Sequence, residues 1–221
     1  RWVGQVLCAA VSLWARLFNR QTRTLSTQPQ HILVILLSEM GSVVLAGPMF
    51  ESLRQRFPQA TVHVLQLRKN QEVARLLGLA KPEHLHSLDD SGGLSLLADI
   101  WRFGRTMRAL PLDVVIDCEL FSRISSLLSY LSGAGLRVGF TPHTQEGLYR
   151  GSYINHAIPY NPYRHISRQF MSLVDALDDT AMPRNKAAAI HPMPQDSGLA
   201  VAFEASELLA YRQKMCTDHP A

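Results

Sequence analysis

From residue 31 onward the apolar positions of this chain alternate between two spacings. HILVILL, residues 31–37, is an unbroken apolar run, as a parallel strand shows when both of its faces are covered. Val43, Leu45, Met49, Leu53 and Phe57 then recur at helical spacing, and Pro58 closes that helix. ATVHVLQL reads as a second strand, and NQEVARLLGL as a short helix capped by Asn70. HLHSL is a third, weaker strand, GLSLLADIWRFGRTMRAL a helix ending before Pro111, and DVVIDC a clear strand. SRISSLLSYLSGAG is a helix stopped by its glycines. LRVGF and YINHAI are short strands, and HISRQFMSLVDAL is the last helix of the series.

This alternation predicts an α/β, Rossmann-like, mostly parallel sheet with helices on both faces over residues 31–183. Its crossovers are right-handed. Ligands of such sheets lie beyond the carboxyl ends of the strands. That rule selects the turns after Leu37, Leu67, Cys118 and Phe140.

The two ends of the chain follow other patterns. Residues 1–23, RWVGQVLCAAVSLWARLFNRQTR, place Val3, Leu7, Ala10, Trp14 and Leu17 on one helical face, with Gln5, Ser12, Arg16 and Asn19 toward the other. The apolar stretch is too short and too polar for a span of about 20 apolar residues. Two tryptophans with flanking arginines fit a helix lying in an anionic membrane interface; a helix docked on the protein body is the second reading, and a signal peptide, disfavoured by the lack of a clear small-x-small cleavage site, the third. Residues 24–30 read as a polar linker. Residues 184–221, with an Ala run, prolines and one helix pattern around residues 205–215, read as a connector toward a further domain.

Charge sharpens the picture. Net charge is +4, from 22 Lys and Arg against 18 Asp and Glu. Arg1, Arg16, Arg20 and Arg23 precede the first acid, Glu39, so residues 24–221 carry 18 of each sign. The basic pI of about 9.2 therefore reports the N-terminal segment, not a nucleic-acid-binding body. Cys8, Cys118 and Cys216 are scattered and odd in number, which fits incidental thiols in a reducing compartment. The first residue is Arg, and the chain is expected to be a fragment or processed form.

The usual cofactor motifs are missing. There is no GxGxxG, Walker loop, HExxH, DxD or GxSxG, and the first strand-to-helix turn holds one glycine, Gly41. His84 and His86 form an HxH without an indicated third ligand, and read as a surface loop. Three stretches remain. In Ser38-Glu39-Met40-Gly41-Ser42 the simpler account is structural: Ser38 or Ser42 caps the helix, Glu39 complements its positive end and Gly41 permits a tight turn. The chemical account puts the Glu39 carboxylate at the cleft mouth, where it could take a proton from a substrate hydroxyl. In DCELFSRISS, Asp117 could cap a helix while Arg123 pairs with Glu119, or Glu119 and Arg123 could grip an oxygen-rich substrate. The stretch from Gly139 to Phe170, including His143, is rich in Tyr, His, Asn and Arg, which suits either ligand contacts or a long surface loop.

ILVILLSEMGSVVLAGPMFESLRQRFPQATVHVL, DVVIDCELFSRISSLLSYLSGAGLRVGF and RHISRQFMSLVDAL, in that order and spacing, resemble the N-terminal half of glycosyltransferase family 9, the ADP-heptose:lipopolysaccharide heptosyltransferases. The resemblance covers roughly residues 31–180. It implies the acceptor-binding N-terminal domain of a GT-B enzyme, with the nucleotide-sugar donor held by a C-terminal domain beyond this chain. It further implies inverting transfer to a lipopolysaccharide or other lipid-linked glycan, with no cofactor and no metal. The expected location is the inner face of a bacterial cytoplasmic membrane.

Family members usually carry an aspartate after the turn glycine as the proposed base, where this chain has Ser42. A serine does not act as a base near neutral pH without activation. Glu39 is thus the candidate base, with Ser38, Gly41, Ser42, Glu119, Arg123 and His143 as candidate substrate contacts. The chain alone is expected to be inactive, since the leaving-group contacts belong to the donor half. The alternative is a non-catalytic glycan-binding or scaffold protein on the same fold. A Rossmann-type oxidoreductase is disfavoured by the missing glycine fingerprint.

Overall fold

Every strand-like run forms a strand: β1 His31–Ile35, β2 Thr61–Leu67, β3 Leu85–Leu88, β4 Val114–Asp117, β5 Leu136–Phe140 and β6 His156–Ile158. The computed structural model describes residues 28–120, 122–141 and 149–177, with residues 6, 8–13, 206 and 209. The strands pair in parallel in the order β3-β2-β1-β4-β5-β6. The intervening helices are α1 Met40–Leu45, α2 Gly47–Arg56, α3 Gln71–Leu76, α4 Gly93–Ala109, α5 Arg123–Leu131 and α6 Ile166–Asp175.

The apolar run of β1 explains the layers. Ile32, Val34 and Leu36 enter a core with Met49, Phe50 and Leu53 of α2 and Phe170, Leu173 and Val174 of α6. Leu33, Ile35 and Leu37 enter the opposite core with Phe103 and Met107 of α4 and Leu128 of α5. Each such side chain contributes about 1.5–3 kcal/mol by leaving water. Helices α1, α2, α3 and α6 cover one face, and α4 and α5 the other.

Three local expectations are corrected. The single helix expected through Val43–Phe57 is two, broken at Ala46. Pro48 has no N–H to bond the Val44 carbonyl, and proline is accommodated instead in the first turn of a new helix. Asn70 takes the N-cap position of α3 as expected, but its side chain makes no capping bond and reaches the Ser38 carbonyl instead. Ser122, not Asp117, caps α5, accepting a hydrogen bond from the Ser125 N–H at 3.2 Å.

Residues 8–13 are helical, and one side of them meets the body. The Cys8 sulfur accepts from the Tyr153 hydroxyl (3.4 Å), and the Ser12 hydroxyl accepts from the Ser152 N–H (3.0 Å). Val6 and Leu13 remain 65% and 60% exposed. No helix among the described residues is long and apolar enough to cross a membrane. The linker of residues 24–27 and nearly all of the connector expected over residues 184–221 lie outside the described residues.

His84 and His86 do not form a surface loop. The strand registers set Leu33 beside His63 and Leu65 beside His86. His31 Nδ1 lies 3.2 Å from His63 Nε2, and His63 Nδ1 lies 3.3 Å from His86 Nε2. The His84 ring meets His63 edge-on at 4.6 Å. No group of three or more His, Cys, Asp or Glu among the described residues is arranged to hold a metal ion. Burial, then the neighbouring histidines, lowers the His63 pKa from 6.5 to about 4. The unfolded chain therefore binds more protons than the folded one between about pH 6.5 and pH 4. Acidification through that window removes stability that is present above it. His63→Gln is expected to show a shallower fall in Tm than the parent between pH 7 and pH 4.5. Parallel Tm profiles would show that His63 titrates normally.

Candidate functional site

In the observed strand order, β1 pairs with β2 on one side and β4 on the other. The sequence order reverses direction there, and the turns leaving β1 and β4 diverge to opposite faces of the sheet, opening a crevice. Backbone bonds carry the strands into these turns: Leu36 N–H to Leu65 O (2.9 Å) and Cys118 N–H to Ile35 O (3.0 Å).

Side chains then tie the turns together. The Ser38 N–H and the Ser38 hydroxyl both donate to Glu119 Oε1, each at 2.7 Å. The Asn70 amide, from the turn after β2, donates to the Ser38 carbonyl at 2.5 Å. Ser38 is thus held from both sides. Hydrogen bonds to a charged group contribute more than neutral ones, about 1.5–3 kcal/mol each. Glu119 is only 8% exposed. Its place is that of a bracket between the two turns.

Glu39 follows Ser38 at the N-cap position of α1, with extended backbone (φ −66°, ψ 163°). Its carbonyl accepts from the N–H groups of Ser42 (2.9 Å) and Val43 (3.4 Å). Its side chain makes no capping bond and is exposed to solvent. The capping account of this turn is therefore not realised: the Ser38 hydroxyl is committed to Glu119, and N-cap geometry falls on Glu39. Gly41 is not needed for a tight turn either. It lies inside the first turn of α1 without a positive φ, and a Cβ there would meet nothing within 4 Å.

Beneath the turns lies a buried ion pair. Asp117 ends β4 and is fully buried, as is Arg150 at 1% exposure. Arg150 Nη2 donates to Asp117 Oδ2 at 2.6 Å and to the Ser125 hydroxyl at 2.9 Å, while its Nε donates to the Ser122 carbonyl at 2.8 Å. The other Asp117 oxygen accepts from the Glu119 N–H at 3.0 Å. Burial pushes the Asp117 pKa up to about 6, against the opposing pull of the Arg150 guanidinium. Burial also raises the thiol of neighbouring Cys118 well above its ordinary range, which leaves it unreactive.

Of the expected contacts, Ser38 and Glu119 bond directly to one another, and Glu39, Gly41 and Ser42 follow Ser38 at the start of α1, at the switch point of the sheet. Arg123 opens α5 but pairs with neither Glu119 nor any other acid among the described residues; its Nε donates to the Tyr149 carbonyl at 2.9 Å. His143 lies outside the described residues. Sequence reasoning missed Arg150 and the role of Asn70. One signal for Arg150 was available: an aspartate closing the otherwise apolar strand VVID calls for a buried partner.

No family model and no curated protein matches the chain. Solved structures do. The glycosyltransferase family 9 protein from Veillonella parvula is 18% identical, with a TM-score of 0.65 over 90% of this chain and 51% of its own. The E. coli ADP-heptose lps heptosyltransferase II is 16% identical, with a TM-score of 0.61 over 86% of this chain and 50% of its own. E. coli heptosyltransferase WaaC, solved with ADP-2-deoxy-2-fluoro heptose, is 14% identical, with a TM-score of 0.56 over 72% and 51%. The chain thus spans about half the length of the solved structures it matches, and its fold is the Rossmann-like α/β fold of these GT-B glycosyltransferases.

Arg150→Met should strand the Asp117 carboxylate and cost about 3–5 kcal/mol in urea unfolding. Adding Asp117→Asn should recover most of that loss, since the neutral amide needs no counter-ion. Equal losses in the single and double variants would show that the pair is not coupled.

Proposed function

We propose that this chain is the acceptor-side half of a glycosyltransferase that moves a sugar from a nucleotide-sugar donor to a glycan or glycolipid acceptor with inversion. The observation that carries the reading is the exposed Glu39 carboxylate at the switch point of the sheet, on a turn fixed by Ser38, Glu119 and Asn70. The shared fold supports it, as does the naming of the three matched proteins as glycosyltransferases or heptosyltransferases.

In this reading the acceptor hydroxyl gives its proton to Glu39. The oxygen then bonds to the anomeric carbon as the bond to the nucleoside diphosphate breaks, and the leaving phosphate keeps the electron pair. Glu39 suits proton abstraction because its carboxylate is exposed and makes no capping bond. Glu119 suits positioning because Ser38 occupies its Oε1. Ser42, half-buried on α1, and Gly41, with open space around it, border the acceptor. The donor's diphosphate falls to residues beyond this chain. No step of the reading passes through a metal.

In an enzyme that includes the donor half, Glu39→Gln should lower kcat by about 10²–10⁴, the usual worth of a general base, with KM for the acceptor little changed. Ser42→Asp in that background should restore part of the rate. Unchanged turnover in Glu39→Gln would remove Glu39 as the base and favour a non-catalytic binding role for the crevice.

A further inference from the structure

The exposed apolar side chains are not spread evenly. Eight large hydrophobic residues are exposed among the described ones: Val6, Leu13, Met40, Leu97, Trp101, Ile124, Tyr163 and Leu209. Five of them lie on α4, on α5 and on the N-terminal helical residues, which Tyr153 joins to α5 through its contact with Tyr130. The helices of the opposite face contribute only Met40. Leu97 and Trp101, 63% and 66% exposed, project from α4 one turn apart. With Gly104, Arg105, Arg108 and Leu131 they border a groove of about 600 Å³.

Charge follows the same division. Together α4 and α5 hold four of the 22 Lys and Arg, namely Arg102, Arg105, Arg108 and Arg123, but one of the 18 Asp and Glu. That one, Asp99, is buried and bonded to the Asp89 N–H and to Arg102. The rest of the chain holds 18 cations against 17 acids. Arg105 lies over the Trp101 ring at 5.6 Å, and Arg108 crosses to the Leu131 carbonyl at 3.0 Å. An exposed tryptophan between an aliphatic side chain and arginines, with no exposed acid on its helix, is the composition that partitions into an anionic lipid headgroup layer.

We propose that the outer face of α4, with Leu97 and Trp101 inserted and Arg105 and Arg108 on the headgroups, is a docking surface for an anionic lipid bilayer, acting alongside the N-terminal helix. The charge on this face selects lipid over a second copy of the chain. Two copies meeting here would bring arginines against arginines with no acid to offset them, whereas anionic headgroups offset them directly. Two anchoring elements also make attachment firmer than one helix provides, as for paired membrane signals elsewhere.

The test uses the 221-residue chain with Trp2→Phe and Trp14→Phe, so that Trp101 is the sole tryptophan. With vesicles of 30% phosphatidylglycerol in phosphatidylcholine, the chain should sediment with lipid and Trp101 emission should shift to the blue. Salt should weaken both effects, and pure phosphatidylcholine should give little of either. Leu97→Ser with Trp101→Ser should weaken partitioning at least tenfold in the parent chain. Arg105→Gln and Arg108→Gln should each weaken it about fivefold on anionic vesicles only. The proposal is overturned by an absence of sedimentation. It is equally overturned if the chain sediments while Trp101 emission and the α4 variants behave as the parent, which leaves the N-terminal helix as sole anchor. A lipid-free emission shift that grows with protein concentration would assign the face to self-association instead. None of these readouts involves sugar transfer, so their failure leaves the acceptor-side reading of the crevice untouched.

Discussion

Burial of β1 on both faces is the constraint from which the rest of this structure follows. Six consecutive apolar side chains from Ile32 to Leu37 divide alternately between two cores, and neighbouring strands hold the backbone on both edges. A strand so placed is central, and in a parallel sheet its connections must cross over the faces through helices. The chain leaves β1 on one face, through α1 and α2, and leaves β4 on the other, through α5. The crevice between those departures is a consequence of covering β1.

What fills the mouth of that crevice is polar and linked. Ser38, Asn70, Glu119, Asp117, Ser125 and Arg150 form a connected set spanning the turns after β1, β2 and β4. Buried polar groups are tolerable because nearly all find partners, and the shared hydrogen bonds fix the turns relative to one another. Glu39 stands outside this set. Its backbone is fixed by the start of α1, while its carboxylate remains in solvent. Two carboxylates thus follow neighbouring strands in different states, Glu119 held by Ser38 and Glu39 exposed to solvent.

The two faces of the sheet differ in how finished they are. Helices α2 and α6 seal one core, Arg56 reaches Asp175 between them at 3.4 Å, and almost no large apolar side chain remains outside. On the other face α4 buries Phe103 and Met107 on its inner side and also carries Leu97 and Trp101 on its outer side. Apolar residues on both sides set α4 apart from the helices of the opposite face.

Much of this was legible in the chain itself. Continuous apolar runs mark strands buried on both faces, helical spacing marks their covers, and the alternation dictates a parallel sheet with its site at the strand carboxyl ends. Ser38, Glu39 and Glu119 could be named because they directly follow such runs. The contacts that give them roles could not. Ser38 and Glu119 are 81 residues apart, Asp117 and Arg150 are 33 apart, and three histidines from three strands meet, with His84 from the turn before β3, only once the register is set. Local periodicity reports which face of an element is buried. Which polar side chain meets which depends on strand order and register, and those are settled only when the whole sheet is assembled.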